Sequence, residues 1–260
     1  MAYIRAQDLV IEFPIYQLAH LSFKQAVLHA ATGGKIARDA GNRVVVRALD
    51  HVSFDIQEGD RVGLVGHNGA GKTSLLRTLS GIYEPMEGRL EVRGRVATLL
   101  DFHFGIDPEA TGYENILLRG IMLGLRPRDI KARMPEIAEF TELGDYLDMP
   151  VRTYSTGMQL RLAFATSTAV APEILLMDEW LSVGDATFSE KASLRLHDLV
   201  KRTSIMVMAS HSPKLIEAVC NRIFRMEHGR IVEQESITPR AVAAAATQEL
   251  ASLARNEPIG

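Results

Sequence analysis

The chain has 260 residues, of which 47% are hydrophobic and 23% are charged, and its formal net charge is −3. These values are ordinary for a globular protein with one large domain or a domain carrying an inserted lobe, and the weak negative charge does not indicate a nucleic-acid surface. The single cysteine, Cys220, excludes an internal disulfide framework and fits a reducing compartment, while the N-terminal residues do not resemble a signal peptide and no apolar run is long enough to cross a bilayer.

The N-terminal part of the chain predicts short strands with one helix between them. Residues 3–13 alternate enough to predict a first strand, and residues 44–46 and 52–56 predict two more. Residues 18–31 have the spacing of a helix, which either packs on the core or docks on another protein or on a membrane surface. The polar residues 35–43 are predicted to form a loop.

Residues 66–73 read Gly-His-Asn-Gly-Ala-Gly-Lys-Thr, which is the phosphate-binding pattern G-x-x-x-x-G-K-T. An apolar stretch at 61–65 predicts a buried strand before it, and residues 74–79 predict a helix after it, which is the context that this loop requires. Glycines let successive backbone N–H groups point inward around an anion, and the positive end of the helix points to the same place. The pattern predicts that a nucleoside triphosphate is bound by Gly66, His67, Asn68, Gly69, Ala70, Gly71, Lys72, Thr73 and Ser74.

An apolar strand predicted at 174–179 ends in two carboxylates, Asp178 and Glu179. In a phosphate-loop enzyme Mg²⁺ needs a carboxylate at the end of a neighbouring strand, so Asp178 and the Thr73 hydroxyl are predicted to hold the metal. Glu179 leaves the strand in another direction and is the candidate general base for an attacking water.

Two further polar side chains are predicted to contact phosphate. Lys72 supplies a mobile charge for the β and γ phosphates. His211 follows a strand predicted at 204–209, and because strand ends in a parallel sheet open toward the ligand crevice, a contact with the γ-phosphate is expected.

Residues from about 104 to 172 predict a helical lobe inserted into the nucleotide-binding core. Its candidate helices lie at 114–123, 128–143 and 159–170. After the lobe the pattern predicts a helix at 189–202, a hairpin around His228-Gly229 and a short helical tail. The predicted division is a core at 1–103 and 173–238, the lobe at 104–172 and the tail at 239–260.

A polar turn with serine and glycine, Tyr154–Arg161, directly precedes the third helix of the lobe. It is either an ordinary helix cap by Ser155 or Thr156, or a second anion-binding helix N-terminus. A second anion site is hard to explain within one nucleotide pocket, and we expect it to complete the pocket of a second copy of the chain.

These motifs, in this order, resemble those of ATP-binding cassette (ABC) proteins over roughly residues 3–235. The resemblance implies an α/β fold: a P-loop NTPase (RecA-like) cassette core with an inserted helical lobe and a small antiparallel β part. It also implies a head-to-tail homodimer that hydrolyses two ATP molecules at its interface, with Mg²⁺. The motifs that carry it are 66–73, 154–159, 174–179, 182–185 and His211.

The resemblance assigns further roles to residues of this chain. Asp185 is expected in the loop that links the two nucleotide sites. Phe13 is the best match for the aromatic side chain that stacks on adenine, with Tyr16 as the second choice. The residues expected to face the γ-phosphate held by the other subunit are Ser155, Gly157 and Met158.

Several details resemble the ATPases of bacterial polysaccharide exporters, which serve O-antigen, teichoic acid and capsule systems. Tyr-Ser-Thr-Gly-Met stands where Leu-Ser-Gly-Gly-Gln is commoner, and the runs 111–115 and 178–186 and an insertion at about 17–43 agree with that group. The resemblance implies a separate polytopic permease in two copies, an undecaprenyl-linked glycan reached through it, and a position on the cytoplasmic face of the bacterial inner membrane.

Two departures from the family pattern affect these expectations. Asp101 is the nearest match to a glutamine that contacts Mg²⁺ in most cassettes, so it is a candidate metal ligand. The short stretch after the predicted hairpin leads us to expect no appended carbohydrate-binding domain. The alternatives are an exporter of a lipid, drug or peptide, and a soluble cassette that moves no solute.

Overall fold

The computed structural model describes residues 1–14, 35–38, 44–100, 105–169, 172–178 and 186–237. They form two compact units. Within those ranges, residues 1–96, 173–178 and 204–237 belong to the first unit, and residues 97–172 and 186–203 belong to the second.

The strands and helices follow one another along the described chain with short connections. The strands are β1 (Tyr3–Pro14), β2 (Lys35–Arg38), β3 (Val44–Gln57), β4 (Arg61–Val65), β5 (Glu87–Arg93), β6 (Val96–Leu99), β7 (Ile174–Asp178), β8 (Ile205–Ala209), β9 (Arg222–Glu227) and β10 (Arg230–Ser236). The helices are α1 (Lys72–Leu79), α2 (Gly112–Met122), α3 (Pro127–Thr141), α4 (Thr156–Ser167), α5 (Ala186–Arg202) and α6 (Pro213–Val219).

An antiparallel sheet of four strands, in the order β2-β3-β1-β5, forms part of the first unit. Strand β1 buries Ile4 and Ala6, which alternate with exposed residues as expected for a sheet with one face on the core. The first predicted strand, at residues 3–13, is therefore confirmed.

Two predictions for β2 and β3, which lie on one side of β1 in this sheet, were wrong. Residues 35–38, predicted as part of a loop, form β2 and pair with Val44–Arg47 of β3. As an edge strand β2 is paired on one side only, so backbone pairing can override its polar sequence. The two strands predicted at 44–46 and 52–56 are one strand, because a left-handed His51 (φ 54°) and register shifts against β1 carry the chain through the polar break.

The central sheet has the order β10-β9-β4-β8-β7-β6, and the first unit ends as β6 begins at Val96. Strands β9, β4, β8 and β7 are parallel to one another, and β4, β8 and β7 are buried almost throughout. This explains their nearly continuous apolar sequences. The register sets four residues at one level near the carboxyl ends of these strands: Phe224, Leu64, Ala209 and Asp178.

The second unit is helical. Helix α2 begins with a capping box, in which Thr111 and Glu114 each accept a hydrogen bond from the other's backbone N–H. Phe140 of α3 packs against Phe164 of α4 and Phe188 of α5, with ring centroids 6.1 and 5.6 Å away. These aromatic contacts hold α5 within the helical unit.

The helices predicted at 114–123, 128–143 and 159–170 correspond to α2, α3 and α4, with ends shifted by a few residues. Helix α5 groups with the helical unit, where Phe188 packs against Phe140. The division into core, inserted lobe and tail stays a prediction. The predicted helix at 18–31 and the predicted tail at 239–260 lie outside the described residues. Of the helices in the described ranges, none combines the length and the apolar character needed to span a bilayer.

Candidate nucleotide-binding site

The phosphate loop connects β4 to α1, as the sequence predicted, and lies at the carboxyl edge of the central sheet. The backbone is left-handed at Gly69 (φ 79°) and at Gly71 (φ 105°), which precedes the first residue of α1. Side chains with a Cβ rarely adopt these angles, so glycine is needed at both positions. His67, Asn68 and Gly69 at the tip are exposed. The geometry is that of a loop whose backbone curves around an anion.

Neighbouring backbone packs tightly behind this loop. A Cβ on Gly66 would overlap the carbonyl oxygen of Met226 in β9, and one on Gly71 would lie 2.8 Å from the carbonyl oxygen of Ala48 in β3. The Gly229 N–H donates to the Ala70 carbonyl oxygen at 2.9 Å. The shape of the loop thus depends on close contact with β3 and with the β9–β10 turn.

The Lys72 side chain folds back over the loop. Its Nζ donates to the carbonyl oxygens of Gly66 at 2.7 Å and His67 at 3.2 Å, and the residue is only 7% exposed. The ammonium group is therefore held inside the curve of the loop, where its charge would meet phosphate oxygens.

Thr73 in the first turn of α1 and Asp178 at the end of β7, the two predicted metal ligands, come together. The Thr73 hydroxyl donates to Asp178 Oδ2 at 2.7 Å. Both groups are hard oxygen donors, which suits Mg²⁺. In the described part of the chain no cluster of three or more His, Cys, Asp and Glu side chains could hold a metal. The pair fits the usual magnesium arrangement, in which one or two protein oxygens act with substrate phosphates.

His211 lies two residues beyond Ala209, the last residue of β8, and is exposed. Because β8 is parallel to β4 and β7, His211 emerges at the same edge of the sheet as the phosphate loop and Asp178. Four other candidate residues lie outside the described residues: Tyr16, Asp101, Glu179 and Asp185.

Phe13, the candidate for stacking on adenine, lies near the end of β1 opposite Val46 of β3. It is 36% exposed, and its ring is in a T-shaped contact with that of Tyr83, with centroids 5.0 Å apart. Arg77 of α1 donates from Nη1 to the Tyr83 hydroxyl at 3.0 Å. A partly exposed ring that a second aromatic ring supports suits an aromatic platform for a base. Sequence reasoning missed Tyr83 and Arg77, which no motif marks.

Ser155, Gly157 and Met158 lie at the start of α4 in the second unit. Ser155 caps the helix, its Oγ accepting from the Met158 N–H at 3.3 Å, so the predicted cap by Ser155 is confirmed. Ser155 is exposed, and the nearest atom to a Cβ on Gly157 would be Ser155 Oγ at 3.9 Å. The start of α4 thus has room on its outer side.

The sequence reasoning also missed Asp50, a carboxylate of β3 that is 1% exposed. Burial by itself would raise the pKa of Asp50, but hydrogen bonds from Arg230, His51 and Arg47 outweigh it and hold that pKa below its usual range. No motif marked Asp50, because it lies in the polar break between the two strands predicted at 44–46 and 52–56.

The comparisons with known proteins agree with this geometry. The family model described as ABC transporter matches residues 49–182. The O-antigen export system ATP-binding protein RfbE of Yersinia enterocolitica is 48% identical over 228 residues, which cover 88% of this chain and 95% of that protein. The teichoic acids export ATP-binding protein TagH of Listeria innocua is 41% identical, over 72% of this chain and 55% of that protein.

Solved structures show the same fold at low sequence identity. A dimeric ATP-binding cassette in a post-hydrolysis state with ADP and Pi has a TM-score of 0.64 at 19% identity, covering 90% of this chain and 99% of that one. An ATP-binding subunit of an ABC transporter has a TM-score of 0.66 over 97% of this chain, also at 19% identity. The predicted fold class is confirmed, and with the family match and the extent of the sequence identity it follows that this chain belongs to the ABC transporter family, as one of its ATP-binding, ATP-hydrolysing cassettes.

Proposed function

We propose that this chain is the ATPase subunit of an exporter that drives an undecaprenyl-linked polysaccharide, an O-antigen or a related glycan, across the bacterial inner membrane. The observation that carries the proposal is the 48% identity to an O-antigen export ATP-binding protein along almost the whole of that protein. A second such protein, RfbB of Klebsiella pneumoniae, is 36% identical over 85% of this chain and 89% of that protein.

The phosphate loop and its neighbours bind and orient ATP in this proposal. Lys72 and the loop amides hold the β and γ phosphates, and Phe13 stacks on the adenine, with Tyr16 as the alternative. Thr73 and Asp178 hold Mg²⁺, with Asp101 as a further candidate ligand; the bound metal would neutralise phosphate charge. The 2.7 Å contact between Thr73 and Asp178 supports this assignment, because it brings both oxygens to one point.

Hydrolysis follows from the residues at the carboxyl edge of the sheet. Glu179 directly follows Asp178, accepts a proton from the attacking water and so acts as the general base. His211 contacts the γ-phosphate from the end of β8. The core in this proposal comprises 1–103 and 173–238, the inserted helical lobe 104–172, and the tail 239–260.

Two copies of the chain act together, head to tail, as a homodimer. Ser155, Gly157 and Met158 of one copy complete the phosphate site of the other, and Asp185 lies in the loop between the two sites. The exposed start of α4 supports this arrangement, since its N–H groups are directed away from the helix body toward any anion that approaches. The dimer works on the cytoplasmic face of the membrane with two copies of a polytopic permease, and no nucleic acid is involved.

The test is a pull-down of tagged Glu179→Gln protein from detergent-solubilised membranes of the source bacterium, supplied with ATP. This variant should bind ATP but hydrolyse it very slowly, so the assembly is held with its partner. We expect a polytopic subunit in a two-to-two complex, encoded beside glycan-assembly enzymes. A permease that belongs to a lipid, drug or peptide exporter would overturn the glycan assignment, and recovery of soluble partners alone would overturn transport.

A further inference from the structure

A buried carboxylate stands directly behind the phosphate loop without belonging to it. Asp50 is 1% exposed. Its oxygens accept hydrogen bonds from Arg230 Nε at 2.6 Å, His51 Nδ1 at 2.9 Å and Arg47 Nη1 at 3.1 Å. Burying a carboxylate is costly unless it is paired, and in some proteins such a pair gives specific geometry rather than net stability. We therefore expect Asp50 to have a structural role beyond filling the core.

The backbone of Asp50 leads to the phosphate loop through two hydrogen bonds. The Asp50 N–H donates to the Gly229 carbonyl oxygen, and the Gly229 N–H donates to the Ala70 carbonyl oxygen, each at 2.9 Å. Arg230, which the Asp50 side chain binds, is the residue directly after Gly229. Asp50 thus holds the β9–β10 turn by its backbone and by its side chain, and that turn holds the loop.

The hydrogen bond to Ala70 sets the direction of the next amide. In a trans peptide the C=O and the following N–H point in opposite directions. Because the Ala70 carbonyl points to Gly229, the Gly71 N–H points away from the turn, toward the inner side of the loop. That N–H lies at the start of α1, where the helix dipole favours an anion.

Close packing prevents the turn from shifting independently. A Cβ on Gly229 would lie 2.7 Å from the Ala48 carbonyl oxygen, and one on Gly71 would lie 2.8 Å from the same atom. Gly71 of the phosphate loop and Gly229 of the turn therefore both pack closely against the Ala48 carbonyl of β3, so a displacement of the turn is transmitted to the loop.

The network continues into β1. Arg47, which donates to Asp50, also donates from Nε to Glu12 at 2.8 Å. Glu12 precedes Phe13, the residue proposed to stack on the base. The same set of charges therefore connects the strand that carries the base platform with the loop that carries the phosphate site.

We propose that Asp50 is a positioning residue for nucleotide binding: it clamps the turn Glu227–Arg230 against the phosphate loop, so that the Gly71 amide stays directed at the phosphates. The inference rests on the proposed role of the loop in holding ATP. It predicts that loss of the Asp50 charge weakens ATP binding even where the protein remains folded.

The test compares Asp50→Asn, which keeps size and removes charge, with Glu233→Gln as the matched control. Glu233 is an exposed carboxylate on the same hairpin and accepts from Arg225 Nε at 2.9 Å. Binding of Mg-ATP is measured by calorimetry well below the melting temperature, with the fold checked by circular dichroism. We expect Asp50→Asn to weaken binding on the order of tenfold, the scale of one charge-assisted hydrogen bond, and Glu233→Gln to change it by less than about twofold. Exchange of the Gly229 amide, which donates to Ala70, with solvent should speed up in Asp50→Asn alone.

A double variant separates positioning from stability. Asp50→Asn with Arg230→Met removes both charges, so the melting temperature should recover in part, whereas ATP binding should stay weak because the turn is no longer clamped. If the double variant recovers affinity together with stability, or if folded Asp50→Asn binds ATP within about twofold of the parent, the proposal is overturned.

Two further variants keep the test decisive. Should Asp50→Asn fail to fold, Arg230→Met carries the comparison, because the Arg230 side chain is 52% exposed and Asp50 would retain Arg47 and His51. That variant should also weaken ATP binding, and unchanged affinity would overturn the clamp. Lys72→Ala tests the site itself: if it binds ATP as tightly as the parent, the proposed nucleotide site fails independently of Asp50.

Discussion

At the scale of single residues, the site depends on a few side chains whose oxygen or nitrogen atoms meet at short distances. The contact between Thr73 and Asp178 joins the first turn of α1 to the end of β7, which are 105 positions apart in the chain. Tyr83 similarly joins α1 to β1, because its hydroxyl accepts from Arg77 and its ring contacts that of Phe13. Each contact leads to a prediction about one end of the nucleotide.

Thr73→Val should impair the metal-dependent step at the phosphate end. Valine keeps the shape of threonine but removes the hydroxyl that reaches Asp178, so we expect Mg²⁺-dependent ATP turnover to fall on the order of 10- to 100-fold, the usual cost of losing a group that orients a bound metal. The measurement is turnover against magnesium concentration.

Thr78→Val is the matched control for that variant, on the same helix. The Thr78 hydroxyl donates to the Ser74 carbonyl oxygen and is fully buried, away from the loop. This change should alter stability slightly and leave the magnesium dependence unchanged. Equal losses in the two variants would show that the Thr73 hydroxyl acts through the fold alone.

Phe13→Ala should impair binding at the base end. Removing an aromatic partner of a base commonly costs about 1–3 kcal/mol, so ATP should bind more weakly by that amount. Tripolyphosphate, which has no base, should bind as before, and Tyr83→Ala should give a smaller loss for ATP because it releases the Phe13 ring without removing it. Calorimetric titration with both ligands checks this, and an equal loss for tripolyphosphate would contradict a contact with the base.

At the scale of elements, the phosphate loop shows how much a motif leaves undefined. The glycines of the motif indicate a curved backbone, and the structure shows which elements shape it: β9 behind Gly66 and β3 behind Gly71. The sequence predicted the hairpin around His228-Gly229 but not its contact with the loop. Such contacts join segments far apart in the chain, and local periodicity carries no information about them.

Gly66→Ala should damage the loop, because the added Cβ would overlap the carbonyl oxygen of Met226. We expect a loss of about 1–3 kcal/mol in the free energy of unfolding, typical of overpacking, and weaker ATP binding. Chemical denaturation and calorimetry give the two quantities. Gly157→Ala is the control for the stability measurement, since a Cβ there has no neighbour nearer than 3.9 Å and α4 gains a better helix former. Unchanged stability and affinity in Gly66→Ala would show that β9 gives way.

The position of α5 was likewise not visible from local periodicity. Its sequence predicted a helix between two strands of the core, and the helix is present at Ala186–Arg202. Its grouping with the second unit depends on Phe188, which meets Phe140 and Phe164, and on Arg195, whose guanidinium lies 4.3 Å from the centroid of the Phe140 ring. Spacing along one helix shows which face is apolar, but not which neighbour covers it.

At the scale of the whole molecule, the proposed homodimer is open to direct measurement. We expect Glu179→Gln protein to dimerise when ATP is added and to return to monomers when ATP is removed, because slow hydrolysis preserves the closed form. Sedimentation velocity with and without ATP measures the two states.

Gly157→Asp, added to that variant, should prevent the dimer without harming the monomer. The position has space for a side chain, and an acidic residue in the first turn of a helix is favourable for the helix dipole. In the dimer the same carboxylate would face the phosphate of the other copy and repel it, so ATP should still bind but no longer drive association. Dimers that persist would contradict a phosphate contact at Gly157.

The sequence by itself determined the family and the α/β class, and it predicted most of the proposed nucleotide site. The phosphate loop, the carboxylate at the end of β7 and the histidine after β8 were visible because each is a local pattern next to an apolar strand, and short-range spacing is enough to mark it. Strand pairing decided β2 and the continuity of β3, since an edge strand and a left-handed residue have no reliable local signature. The tertiary structure alone revealed the Asp50 network and the support of Phe13 by Tyr83 and Arg77, because these depend on contacts between distant segments, where packing rather than propensity selects the neighbour.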